Sequence, residues 1–279
     1  MISAPTDATF SITPAQAGRT TPLVFASPHS GVVYPDDMGA AAGLSQASLR
    51  SAEDSAVDRL LATSGAAGAV LIAGWIGRAY VDLNRAPDEL DAALIADCPE
   101  GAPPGLKTLA GYGVIPRLAG DGVPLYDRCL TLEEARGRIA RVHTPYHAAL
   151  GELMQAAHDR HGRAVLIDWH SMPSRATGPN GPDVVLGDRH GTACATGLTR
   201  RLKALFEALG WRVALNRPYA GGYATQVWGR PGEGLEAVQI ELNRRLYWDE
   251  TAGGPSIGWG RCQSGLNRVI AALGADFAA

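Results

Sequence analysis

The sequence predicts an α/β fold built on a parallel or mixed sheet, and three observations carry that expectation. Short runs rich in apolar and β-branched residues, at Leu23–Ser27, Ala164–Ile167 and Ala237–Ile240, have the length and composition of buried strands. Strand-like and helix-like segments alternate along the chain. The 279 residues, 46% hydrophobic and 19% charged, suffice for a full core with helices over both faces of such a sheet. No repeat, low-complexity tract or composition break marks a linker, so a single catalytic domain over residues 1–279 is expected.

The elements follow in order. A polar leader, about residues 1–18, precedes the strand at Leu23–Ser27, and a Pro/Gly-rich loop then leads to a helix beginning near Ser51. Ala69–Ala73 and Ala79–Leu83 read as strands. Residues 86–125 are irregular and rich in proline and glycine, and loops of that length are usually lids or substrate walls. Thr131-Leu-Glu-Glu134 is a capping box that opens an amphipathic helical region to about Arg160. Strands are expected at Asp183–Leu186, Arg212–Leu215 and Glu236–Leu242, with a helix over Thr196–Leu209 between the first two.

Composition also excludes. A net charge of −3 leaves no global basic surface for phosphate backbones, so nucleic acid is not an expected partner. The first seven residues lack the basic and apolar regions of a secretory signal, and the longest uncharged apolar stretch, Gly65–Gly77, falls short of the ~18–20 residues of a membrane span. A cytoplasmic protein without a membrane partner is expected. Cys98, Cys129, Cys194 and Cys262 form no C-x-x-C pair and read as four free, mostly buried thiols.

The chemistry lies at the ends of the apolar runs, which deliver His29, His170 and Glu241. Open α/β sheets bind ligands outside the carboxyl ends of their strands, so these side chains should converge, and a metal-dependent hydrolase is the leading reading. His29 lies in Ser27-Pro-His-Ser-Gly31, where the proline ends the strand and Gly31 lets the backbone approach a bound group; a structural histidine is the alternative. Asp168, two residues before His170, is a candidate to orient a ligating imidazole. A catalytic zinc takes three protein ligands, and Ser51-Ala-Glu-Asp54 offers Glu53 or Asp54 as the third, although the same pattern caps helices.

Glu241 inside an apolar strand is costly unless it pairs with Arg244 or Arg245 or carries protons in catalysis. Arg85, ending Tyr80-Val-Asp-Leu-Asn-Arg85, has a guanidinium fork suited to a carboxylate, and Arg78, Arg117 and Arg128 are candidates to add charge to the same mouth. His143 and His147 have metal-pair spacing, but Thr144-Pro145 intervenes and H-E-x-x-H is absent, so they are set aside. Arg136, Arg138 and Arg141 read as a solvated helix face. Pro218-Tyr-Ala-Gly-Gly-Tyr223 reads either as a mobile loop covering a substrate or as a tight turn.

Seven segments together resemble the N-formylglutamate amidohydrolase family in order and spacing over roughly residues 20 to 250. They are Ala26-Ser-Pro-His-Ser-Gly31, Glu53-Asp54 with Val57-Asp58, Tyr80-Val-Asp-Leu-Asn-Arg85, Asp168-Trp-His-Ser171, Leu186-Gly-Asp-Arg189, Pro218-Tyr-Ala-Gly-Gly-Tyr223 and Gln239-Ile-Glu-Leu-Asn-Arg244. The resemblance implies a three-layer α/β/α sandwich with a mixed, mostly parallel central sheet, phosphorylase/hydrolase-like and related to zinc carboxypeptidases. It implies metal-dependent hydrolysis of N-formyl-L-glutamate to formate and L-glutamate, a late step of histidine breakdown. Zn2+, or another divalent transition metal, would be held by His29, Asp54 and His170, with Glu53 as runner-up. Glu241 would be the general base, and Asn84 and Arg85 the carboxylate-binding pair, with Arg78 and Tyr223 completing the substrate-binding set.

Two departures touch the substrate rather than the metal. His190 stands where the family more often has an aromatic residue, and Glu53 where some members have threonine. The expected partner is a small anionic N-acyl amino acid. Hydrolysis of another N-acyl amino acid or small peptide amide, and a non-catalytic ligand-binding role, are the alternatives.

Overall fold

The three apolar runs become side-by-side strands in a computed structural model of the chain, which describes residues 8–99 and 103–278. The strands are β1 (Phe10–Thr13), β2 (Leu23–Ser27), β3 (Val70–Gly74), β4 (Ala164–Met172), β5 (Val184–Gly187), β6 (Val213–Leu215) and β7 (Leu235–Asn243). Their order in the sheet is β1-β3-β2-β4-β7-β5-β6. The pairs β2–β4, β4–β7 and β5–β6 are parallel and β5–β7 is antiparallel, giving the mixed, mostly parallel sheet that was expected, flanked by helices. The helices are α1 (Gln46–Arg50), α2 (Val57–Leu60), α3 (Leu106–Leu109), α4 (Leu132–Arg138), α5 (Thr144–His161), α6 (Thr196–Glu207), α7 (Tyr223–Trp228) and α8 (Trp259–Asp276). Among the described residues no helix is long and apolar enough to cross a membrane. Part of the expected polar leader lies outside the described residues, and Phe10–Thr13 forms a strand instead; its half-exposed FSIT pattern is a weak sequence signal for an edge.

The chain groups into two compact units: Met1–Ser11, Pro28–Glu53 and Ala73–Ala149 make one, and Ile12–Ser27, Asp54–Ile72 and Leu150–Ala279 the other. In the second unit, strand alternation sorts the chemistry. Phe25, Val165, Ile167, Trp169, Val184, Leu186, Val238, Ile240 and Leu242 enter one apolar cluster. Leu60 of α2, Leu202 and Phe206 of α6, and Leu266, Val269, Ile270 and Leu273 of α8 complete it. Each such side chain, fully buried, contributes about 1.5–3 kcal/mol. The intervening residues Asp168 and His170 of β4, and Gln239 and Glu241 of β7, therefore share the opposite face. Asp168 pairs in register with Gln239, and His170 with Glu241.

In the first unit, irregular backbone does most of the work. Ala79–Leu83, expected as a strand, is a series of turns closed by Tyr80 N–H to Gly77 O at 2.9 Å and Arg85 N–H to Asp82 O at 3.3 Å. Its apolarity reflects burial without strand pairing: Tyr80 and Val81 are 0% exposed. The helix expected to start near Ser51 instead ends there, because the Ser51 hydroxyl donates to the Ser48 carbonyl at 2.6 Å and closes α1. The capping box at Thr131 and Glu134 forms as expected. Thr144-Pro145, which intervenes between His143 and His147, opens α5 directly after a π turn over Ile139–His143, and helical structure continues to His161. Arg138, expected on a solvated face, is buried over the rings of Tyr80 and Tyr126, at 4.5 and 5.5 Å, and donates to the Met38 carbonyl at 2.7 Å.

Gly31, expected to admit a bound group, approaches backbone instead. A Cβ there would lie 2.4 Å from the Ile76 carbonyl oxygen, and one on Gly74 would lie 2.6 Å from the Pro28 carbonyl oxygen. The turn carrying His29 is thus packed backbone to backbone. Gly31→Ala is expected to destabilise the protein by about 1–3 kcal/mol; an unshifted denaturation midpoint would show that the turn yields freely.

Cys194 and Cys262 are buried as expected, but Cys98 is half-buried and Cys129 exposed. Burial pushes the Cys194 thiol up to about 11 and the Cys262 thiol up to about 12. At pH 8 iodoacetamide should therefore label Cys98 and Cys129 in the native protein, and Cys194 and Cys262 only after denaturation. Mass spectrometry of the labelled peptides reads the outcome.

Candidate metal centre

His29 follows β2 and is 1% exposed. Its Nε2 lies 2.7 Å from Asp82 Oδ1, which also accepts from the Asn84 backbone N–H at 2.9 Å. The other oxygen, Asp82 Oδ2, accepts from Arg78 Nη2 at 2.7 Å. Burial alone would raise the Asp82 carboxyl, but the Arg78 charge and the His29 imidazole hold it well below the usual carboxylate range. An anionic Asp82 favours the proton on Nε2 of His29, which leaves the lone pair on Nδ1. Asp82 was not singled out from the sequence, because reading its segment as a strand hid the turn that aims it.

His170 is buried between two acids in the second unit. Its Nδ1 lies 2.9 Å from Asp54 Oδ2, and its Nε2 is 3.0 Å from Asp168 Oδ2, an ion-pair distance without hydrogen-bond geometry. Burial would lower the pKa of this imidazole, but Asp168 and then Asp54 raise it well above the ordinary histidine value. Arg244 Nη2 stands 3.6 Å from Asp54 Oδ1. His29, Asp54 and His170 each offer one ligand atom, all within 4.8 Å of one another and all buried. Two imidazoles and a carboxylate match the donor set of a catalytic zinc, and each imidazole has a carboxylate at its other nitrogen, as metal-ligating histidines usually do. The residues fit a divalent metal.

Glu53, the other carboxylate considered, faces elsewhere. It accepts from Arg50 Nε at 3.0 Å and Nη2 at 2.9 Å, and from the Tyr34 hydroxyl at 2.9 Å. After Glu53 and Asp54 the chain takes a left-handed step at Ala56, with φ 56°, before α2 begins. Within this non-helical stretch the two neighbouring acids diverge.

Glu241 is 6% exposed and accepts from Gln239 Nε2 at 2.7 Å. Of the arginines weighed as its partners, Arg245 pairs with Asp183 at 2.7 Å, and Arg244 lies beside Asp54 and donates to Ser171 Oγ at 3.2 Å. Among the candidate substrate arginines, Arg78 serves Asp82, Arg117 pairs with Asp91 at 2.9 Å and Arg128 with Glu134 at 2.5 Å. Arg85 is more loosely engaged, 3.8 Å from Glu89, and its buried Nε has no hydrogen-bond partner among the described residues; Asn84 beside it is 9% exposed.

Tyr223 is half-buried at the first position of α7. The glycines before it lie in closely packed irregular chain, where Gly221 has φ 118° and a Cβ there would meet Thr225 Oγ1 at 2.4 Å. His190 is exposed in a left-handed turn with φ 59°. Asp188 braces that turn by accepting from Gly191 N–H and Asn216 Nδ2, both at 2.8 Å. Asp82→Asn is expected to weaken metal binding by about 10–100-fold. Competition against a chelating dye measures this, and unchanged affinity would remove Asp82 from the support of His29.

An α/β sheet with a buried His–Asp–His set that could hold a metal ion, each imidazole beside a second carboxylate, is the arrangement of a hydrolase. The chain belongs to the N-formylglutamate amidohydrolase family, whose model matches residues 21–248. It is 32% identical over 237 residues to the N-formylglutamate deformylase of Pseudomonas aeruginosa, covering 83% of this chain and 84% of that one. Over 190 residues it is also 32% identical to the N-formylglutamate deformylase of Pseudomonas putida, 66% of each. The crystal structure of N-formylglutamate amidohydrolase from Ralstonia eutropha JMP134 matches with a TM-score of 0.91 at 36% identity, over 97% of this chain and 98% of that one. The Agrobacterium tumefaciens gene product Atu2144 shares the fold, with a TM-score of 0.66 at 18% identity over 95% and 94% of the two chains.

Proposed function

We propose that this chain hydrolyses N-formyl-L-glutamate to formate and L-glutamate, with a zinc ion held by His29, Asp54 and His170. The observation that carries the reading is the convergence of those three ligand atoms within 4.8 Å, with Glu241 in register beside His170. Family membership supports the substrate. Bound zinc would polarise the formyl carbonyl and make water acidic enough to react near neutral pH. Glu241 takes a proton from the attacking water as the carbon–oxygen bond forms, and gives it to the glutamate nitrogen as the carbon–nitrogen bond breaks. Gln239 keeps Glu241 Oε1 aimed by its hydrogen bond. Asn84 and Arg85 hold a substrate carboxylate, because an anion is positioned best by a matched cation and amide; Tyr223 lies in the same substrate-binding set.

In the cell the reaction falls late in histidine breakdown, a placement that rests on the family resemblance, and the cytoplasm is its expected site. The test is metal analysis of the purified protein followed by formate and acetate release across a panel of N-formyl and N-acetyl amino acids. Stoichiometric zinc and a preference for N-formylglutamate are expected. Equal turnover of N-acetyl substrates would favour a broader N-acyl amino acid hydrolase, and bound metal without turnover a binding protein.

A further inference from the structure

We propose that His143 and His147 are positioning residues that fix the backbone on either side of Asn84, and with it the Asn84–Arg85 carboxylate clamp; this rests on the function proposed above. Residues 80–84 are buried and Arg85 is half-buried, yet none lies in a strand, so their carbonyls find partners outside a ladder. Two of them find histidines. His147 Nε2 donates to the Leu83 carbonyl at 2.8 Å, and His143 Nε2 donates to the Arg85 carbonyl at 2.9 Å. Leu83 and Arg85 flank Asn84, so the two bonds set the peptide planes on both sides of it.

The pair is built for the task. An i, i+4 spacing puts both side chains on one face of the helical region, and their rings lie 4.3 Å apart at 38°. The Tyr146 ring meets His147 edge-on at 5.3 Å. His143 closes the π turn, a helical irregularity frequent at functional sites. Carbonyls only accept, so both rings must carry their proton on Nε2. Burial lowers the His143 pKa against the pull of the Arg85 carbonyl and Asp82, favouring a neutral ring. The same short segment supplies Asp82, which holds His29. Asp82 is itself held by Arg78, so the two histidines bear on the clamp. The spacing that suggests a metal pair serves backbone carbonyls instead.

The test compares His143→Met and His147→Met with His143→Gln and His147→Gln. Glutamine carries an N–H donor at a reach similar to Nε2, and methionine has nearly the same shape without it. Each methionine variant is expected to raise KM for N-formylglutamate about tenfold or more, with kcat changed less and bound metal unchanged. Each glutamine variant should return KM to near the wild-type value. On a neutral N-formyl alkylamine, which has no carboxylate to clamp, the methionine variants should match wild type.

Unchanged KM in the methionine variants, equal damage in both series, or equal impairment on the neutral substrate would overturn the proposal. A measurement on the wild type needs no variant to fold: 15N spectra should show the Nε2–H tautomer in both rings, and an Nδ1–H tautomer in either overturns the assignment. A wild-type protein that releases no formate from N-formylglutamate would sink the proposed function and this role together. The outcomes above, with an active wild type, would sink this role alone.

Discussion

Glutamine in place of Glu241 is expected to lower kcat for formate release by about 10²–10⁴ while bound metal and KM stay near their wild-type values. The substitution preserves shape and leaves an oxygen to accept the 2.7 Å hydrogen bond from Gln239, so packing on that face of β7 should survive. What disappears is the basic oxygen. A carboxamide neither takes a proton from water nor returns one to a departing amine, and the chemical step slows while substrate and metal are held as before. Stopped assays of formate, with metal analysis on the same samples, separate the two effects. A variant retaining more than about a tenth of the wild-type rate would remove Glu241 from the proton-carrying role.

Alanine in place of His170 should act on the other half of the mechanism. It deletes the imidazole that stands 2.9 Å from Asp54 and 3.0 Å from Asp168, leaving two buried carboxylates without the group they share. Metal should fall well below one equivalent and formate release should drop to background, since a three-ligand site reduced to two rarely retains zinc through purification. The metal-free protein should also melt earlier, because removing one partner exposes the full cost of burying the others. Metal content sorts the two variants: Glu241→Gln keeps the ion and loses the rate, whereas His170→Ala loses both. An alanine variant that binds one equivalent and turns over normally would move the site elsewhere.

The parts of the molecule legible in the sequence are those where local pattern and tertiary surroundings agree. Leu23–Ser27, Ala164–Met172 and Leu235–Asn243 are apolar because they are central strands, and His29, His170 and Glu241 stand out against that background. Asp54 was harder to tell from Glu53, since the two adjacent acids lie outside any helix or strand, where no periodicity predicts which way each points; Glu53 turns to Arg50 and Tyr34. Asp82 was hidden because a buried turn is as apolar as a strand. Helix α8 escaped notice for a related reason. Gly265 and Gly274 weaken its helical signal, yet a Cβ on Gly274 would lie 2.4 Å from the Ala67 carbonyl oxygen, so the residue that dilutes the pattern is the one that permits the packing. Arg138 looked solvated because nothing in a helix sequence announces two tyrosine rings from elsewhere in the chain.

The parallel pairing of β4 with β7 has an evolutionary consequence. His170 and Glu241 sit opposite one another on a hydrogen-bonded ladder nine residues long. A one-residue insertion within β7 would bring Leu242 or Ile240 to that position and turn the carboxylate into the apolar core. Gradual adjustment of the gap between these two residues is closed to such a chain. Lineages built on this ladder are free to diversify through loop sequence, where insertions are tolerated, and new substrates should arise there while the spacing of the chemistry stays frozen.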